Sequence, residues 1–237
     1  MNDQTAMRRT QWRKWGRATG ALGLLIALAF TGWWQWGVGP LWAGSCAEGT
    51  TLTQSFTTGA TWDLCWAAQA AEGIVLSEIY YTPPSGTRRK VLQEASLSQI
   101  EVLYDDGQAA DYYTSTPGLG GAHLLTLSDA DCPNGTLLNS GGQTVLCQQS
   151  GARGYLYKYY TTQRQGEELT LLSASAIGQR LYLVQWRFLD DGTIVPQVGE
   201  GGRLLRQGSD SQAGWPVTDD DTIGIGYVTN FWWRLNF

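Results

Sequence analysis

Leu181-Tyr182-Leu183-Val184-Gln185-Trp186-Arg187-Phe188-Leu189 is an apolar-alternating run that stops at Asp190-Asp191-Gly192 and resumes at Thr193-Ile194. Alternation with a period of two is the mark of a half-buried strand. Asp and Gly tolerate positive φ, so Asp190-Asp191-Gly192 between two such runs reads as a hairpin turn. The same grammar extends outward on both sides. Upstream, Gly73–Tyr81 alternates and halts at Pro83-Pro84-Ser85-Gly86, and Arg88–Leu92 reads as the returning partner. Ser96–Tyr104 is rich in strand formers and ends at Asp105-Asp106-Gly107; Tyr155–Thr161, Glu168–Ser173 and the final run Ile223–Asn236 follow the pattern. From Thr51 onward no stretch keeps a 3.6-residue apolar period. Turn signals at short spacing predict an all-β fold, an antiparallel sandwich or barrel.

Composition agrees. The chain has 237 residues with 12 Trp, 11 Tyr and 30 Gly, and only 16% charged residues. Aromatics favour strands and Gly supplies turns. The net charge of −5 is unevenly placed. Arg8, Arg9, Arg13, Lys14 and Arg17 face one acid, Asp3, in the first 17 residues, leaving 11 basic and 20 acidic side chains elsewhere. An acidic surface repels phosphate backbones, so nucleic acid is not an expected partner.

The basic segment precedes an uncharged stretch from Gly20 to Trp36, extended by Val38 to Trp42, which is long enough to span a bilayer. The sequence therefore predicts a basic cytoplasmic N-terminus (1–18), one transmembrane helix or signal anchor (19–42), a linker (43–58) and an extracytoplasmic β domain (59–237). Trp33, Trp34, Trp36 and Trp42 would form an aromatic belt at the outer interface. A cleaved signal peptide is the alternative, and it also exports the domain. Cys46, Cys65, Cys132 and Cys147 are an even set with no Cys-x-x-Cys pair, and His123 is the one histidine, which argues for disulfides and against zinc. Cys132 with Cys147 would close a short loop and leave Cys46 with Cys65, a connectivity that the sequence alone leaves open.

Several segments together resemble the catalytic β-sandwich of copper amine oxidases. They are Trp62…Trp66, Glu72-Gly73-Ile74-Val75-Leu76, Tyr80-Tyr81, Ala95 to Gly107, Pro117-Gly118-Leu119-Gly120, Ser173 to Ile194, and Phe231 to Asn236. The family carries Asn-Tyr-(Asp/Glu)-Tyr, then Trp-x-Phe and (Asp/Asn)-Gly-Thr-Ile. Tyr182, Trp186, Phe188, Asp191, Gly192, Thr193 and Ile194 match that pattern. The resemblance implies an amine oxidase-like sandwich over 59–237, C-terminally short, with Cys132 and Cys147 at the family's structural disulfide.

The same resemblance implies a lost reaction centre. The tyrosine slot that becomes topaquinone holds Arg180, and the copper-binding His-x-His slots hold Tyr227 and Thr229. The family's third histidine falls beyond Phe237. The general-base slot holds Tyr113, with Asp111 two residues earlier. A guanidinium neither forms a quinone nor gives up its charge. No catalytic residue, cofactor or metal is therefore expected. The expected function is a non-catalytic binding or scaffold subunit of a membrane assembly, with a protein partner or oligomer; the sequence does not tell whether it takes a small-molecule ligand. The alternative is a diverged or fragmentary copper/quinone-dependent oxidase of primary amines. Arg180 reads as an ion-pair partner inside the sandwich, against the alternative of an anion clamp. His123 reads as a strand residue with a hydrogen-bonded ring. Asp219-Asp220-Asp221 reads as a solvated loop rather than a calcium site, and Asn134-Gly135-Thr136 as a chance glycan pattern.

Overall fold

A computed structural model describes residues 46–48, 50–105, 107, 109–202, 206–207, 214–216 and 223–237. The expected span 19–42, its tryptophan belt and the Asp219-Asp220-Asp221 run lie outside the described residues. Among the described residues no helix is long and apolar enough to cross a membrane.

Two antiparallel sheets carry the domain. The first has β1 (Thr51–Ser55), β2 (Thr61–Gln69), β3 (Gly73–Thr82), β4 (Arg89–Tyr104) and β14 (Tyr227–Asn236), in the order β1-β2-β3-β4-β14. A short strand, β5 (Asp111–Tyr112), also pairs with β4. The second sheet holds β6 (Thr136–Ser140), β7 (Gln143–Tyr159), β8 (Thr162–Ile177), β9 (Arg180–Leu189) and β10 (Ile194–Gly202), in the order β10-β9-β8-β7-β6. A small third sheet is made of β11 (Arg206–Gln207), β13 (Ile223–Ile225) and β12 (Gly214–Pro216).

The predicted all-β architecture is present but differs in segmentation: the final run Ile223–Asn236 is split into β13 and β14 of different sheets, and Tyr155–Thr161 is the end of β7 with the turn after it. Arg88–Leu92 and Ser96–Tyr104, read as separate runs, form one 16-residue strand, β4. Gln93-Glu94-Ala95 between them contains no Gly or Pro, so nothing breaks the extended backbone. Likewise Glu168–Ser173 is the middle of the longer β8. The stretch 43–58, read as a linker, contributes β1, which pairs along β2 from Thr51↔Cys65 to Ser55↔Thr61.

One apolar core joins the two large sheets. Trp62, Leu64, Leu76, Ile79, Leu97 and Ile100 of the first meet Leu171, Tyr182, Trp186 and Phe188 of the second. Trp62 packs edge-on against Phe188 at 5.2 Å, and Trp186 against Trp233 at 4.8 Å. Truncating a buried Trp or Phe to Ala in such a core costs about 3–5 kcal/mol. The Asp190-Asp191-Gly192 turn is tied to the opposite sheet. Trp62 Nε1 donates to Leu189 O at 2.8 Å, and the Tyr81 hydroxyl to Asp190 O at 2.9 Å. Gly192 adopts φ 91°, and a Cβ there would sit 3.0 Å from the Tyr81 ring. Both disulfides form, Cys46–Cys65 with Cα atoms 5.4 Å apart and Cys132–Cys147 at 5.5 Å.

Candidate functional site

Arg180 opens β9 directly after a two-residue turn in which Gly178 takes φ 59°. From there alternation sends Arg180, Tyr182, Val184, Trp186 and Phe188 inward, and all five are buried. Arg180 is therefore carried into the sandwich by the same period that builds the core. Its side chain is only 5% exposed, so the charge needs a partner. That partner comes from β10, where Glu200 pairs with Tyr182 and Gly202 with Arg180. Arg180 Nη1 donates to Glu200 Oε1 at 2.5 Å. The close approach of β10 requires glycine at 202, whose φ is 111° and whose Cβ would lie 2.9 Å from Arg180 Cα.

The other sheet closes the cluster. Tyr227 at the start of β14 pairs in register with Tyr104 at the end of β4. The Arg180 guanidinium lies over the Tyr227 ring, 3.7 Å from its centroid, and 5.5 Å from that of Tyr104. Two residues on, on the same face of β14, Thr229 Oγ1 donates to Glu200 Oε1 at 3.2 Å. The Tyr104 and Tyr113 hydroxyls are 3.2 Å apart, and the Tyr113 hydroxyl donates to Asp111 Oδ2 at 3.3 Å. The Tyr113 ring lies 6.1 Å from that of Tyr182.

The four slots singled out in the sequence, Arg180, Tyr113, Tyr227 and Thr229, are thus gathered into one polar, aromatic cluster between the sheets. Glu200 and Tyr104 complete it and were missed. Counting outward from the Asp190-Asp191-Gly192 turn would have placed Glu200 opposite Tyr182, because hairpin register follows from the turn. Tyr104 is the last residue of its strand and carried no signal of its own. His123 stands apart from the expectation of a strand. It ends a short 3-10 turn, Gly121–His123, and its Nδ1 is 3.0 Å from Ala176 O.

Burial opposes the charge on Arg180, but the Tyr104, Tyr182 and Tyr227 rings and Glu200 outweigh it and hold its pKa above the ordinary value. Burial, and then the Glu200 carboxylate, push the Tyr182 phenol up. Burial and the hydrogen bond with Tyr104 do the same for Tyr113. The centre is a guanidinium–carboxylate pair ringed by tyrosine side chains. A copper ion with a quinone does not fit this donor set. Imidazole nitrogens suit Cu(II), and none lies in this cluster. Here the donors are a phenol, a hydroxyl and a carboxylate already engaged by Arg180, and the fixed guanidinium repels a dication. Among the described residues no group of three or more His, Cys, Asp or Glu comes together.

No model of a known protein family matches the sequence, and no curated protein does. Solved structures do match. A copper-containing benzylamine oxidase from Hansenula polymorpha aligns with TM-score 0.55 and 18% identity, over 73% of this chain and 30% of the oxidase. The Pichia pastoris lysyl oxidase aligns with TM-score 0.58 and 17% identity, over 75% of this chain and 27% of the oxidase. A second structure of that lysyl oxidase aligns with TM-score 0.54 and 14% identity, over 75% of this chain and 32% of the oxidase. The chain therefore spans about a third or less of the length of these proteins. Identities this low speak to fold alone, and the fold is that of a copper amine oxidase-like β-domain.

Proposed function

We propose that this protein is a non-catalytic, amine oxidase-like β-sandwich, anchored in a membrane by its N-terminal apolar segment, that serves outside the cytoplasm as a binding or scaffold subunit. One observation carries the reading. Arg180 is held by Glu200 beneath the ring of Tyr227, and by the sequence resemblance it stands in the slot of the quinone precursor, with Tyr227 and Thr229 in the slots of two metal ligands. An ion pair built into the fold is a structural use of the space in which the oxidases carry out chemistry. The uncharged stretch 19–42 behind a basic flank supports the anchor, and two disulfides accord with an oxidising compartment.

A second reading, a diverged copper/quinone-dependent oxidase of primary amines, is favoured only by the shared fold. One experiment separates the two. The purified full chain is incubated with Cu(II) and air, scanned for a visible quinone band, and assayed for hydrogen peroxide with benzylamine. The expected result is no band and no peroxide. Either signal would refute the non-catalytic reading. Alkaline carbonate extraction of membranes tests the anchor, with the chain expected to stay in the pellet.

A further inference from the structure

A sandwich that binds rather than reacts must offer a surface, and the open edge of the first sheet is the strongest candidate. Among the described residues the two large sheets have four edge strands besides the two-residue β5. β1 and β6 are five residues long. β10 is longer but carries Pro196, which has no N–H to offer a new strand. β14 runs for 10 residues, Tyr227–Asn236, without a proline, and β4 pairs along one side of it only. From Tyr227 to Trp233 it has no charged residue. Its one cation, Arg234, is neutralised within its own sheet by Glu72 and Glu94. Natural edges are usually blunted by charge, proline or brevity, and this one has none of those protections along most of its length.

The outward face beside that edge is apolar. Val228 is 58% exposed, Trp232 57%, and Leu103, which pairs with Val228, 42%. The inward face presents Tyr227, Phe231 and Trp233, which pack against the core but are only partly buried.

We propose that β14 is a homodimerisation strand, pairing antiparallel with β14 of a second copy about a twofold axis at Asn230. The sequence of the strand selects this occupant. With Asn230 opposite Asn230, Val228 faces Trp232 of the other copy, Tyr227 faces Trp233, and Thr229 faces Phe231. Each is an aromatic or β-branched cross-strand pair, the kind that stabilises sheets, and each occurs twice by symmetry. No like charges meet between Tyr227 and Trp233. The resulting sheet would be continuous through both protomers, and Tyr227 of the Arg180 cluster, with Phe231 beside Tyr182, would lie at the joint. This inference rests on the binding-subunit reading and names a second copy of the chain as the partner.

The test uses the full chain in mild detergent, with the protein mass of the particle measured by light scattering. The wild type is expected at twice the monomer mass. Val228→Lys and Trp232→Glu replace exposed side chains, so each folds as a monomer and halves the mass. In one strand, positions 228 and 232 are four residues apart and too distant to pair. In the dimer they face each other, so the double variant V228K/W232E forms two intermolecular ion pairs and regains the doubled mass. A melting temperature within a few degrees of wild type confirms that each single variant is folded. A monomeric wild type, a doubled mass that survives Val228→Lys, or a double variant that stays monomeric would each overturn the proposal. A quinone band would defeat the non-catalytic reading without changing any of these masses, so the two failures are distinguishable.

Discussion

Replacing Glu200 with Leu should destabilise the domain markedly. The substitution leaves the Arg180 guanidinium, whose side chain is 5% exposed, without its carboxylate. Removing one partner of a buried pair costs about 3–5 kcal/mol. The Tyr227 ring remains in contact with the cation and Glu200 keeps 18% exposure, so the low end, about 3 kcal/mol, is the better figure. For a chain of this size each kcal/mol moves Tm by about 2–4 °C, which gives a fall of roughly 6–12 °C. Arg180→Met should cost less, because the stranded carboxylate is nearer to solvent and keeps the Thr229 hydroxyl. The double variant Arg180→Met/Glu200→Leu should recover most of the loss, since replacing both ions by apolar groups of similar volume is often neutral. Thermal unfolding of the full chain is followed by tryptophan fluorescence, with Trp62, Trp66 and Trp186 buried as reporters. Should the double variant lose the sum of the two single losses, the residues are not coupled. The ion pair would then not be what holds this edge of the sandwich together.

Gly202→Ala should lower Tm by several degrees, since φ 111° and the nearness of Arg180 Cα leave no room for a methyl group; circular-dichroism melts give the shift. Cys132→Ser/Cys147→Ser removes a crosslink with a sequence separation of 15 and should cost about 3 kcal/mol, read from the same melts. Acid should weaken the domain through Glu78, whose pKa is held below its ordinary value of 4.5, chiefly by the hydrogen bond from Lys90. A depressed carboxylate adds stability that is complete above its unfolded pKa and lost as pH falls through the folded one. Glu78→Gln should therefore flatten the fall in Tm below about pH 4.5 and leave its slope at neutral pH unchanged. Arg180→Tyr restores a phenol but no imidazole, so copper and air should still produce no quinone absorption.

Much of the domain can be read along the chain. Period-two alternation through Leu181–Leu189 and the Asp190-Asp191-Gly192 turn determined a half-buried strand and a hairpin, because side-chain direction in a strand is set by position alone. The residue types at 180, 227 and 229 were likewise legible as a guanidinium, a phenol and a hydroxyl, since chemistry belongs to the side chain wherever it lies. Strand lengths were less legible. β4 runs through a stretch with no breaker, and pairing with β3, β5 and β14 decides how far it extends. Only the tertiary structure decided what Arg180 does. The cation is buried by its own strand, but its counterion sits 20 residues away on β10, and its aromatic lid on β14 belongs to the opposite sheet. Sequence order does not reveal that contact, because it exists only once the two sheets have packed and water has left the space between them.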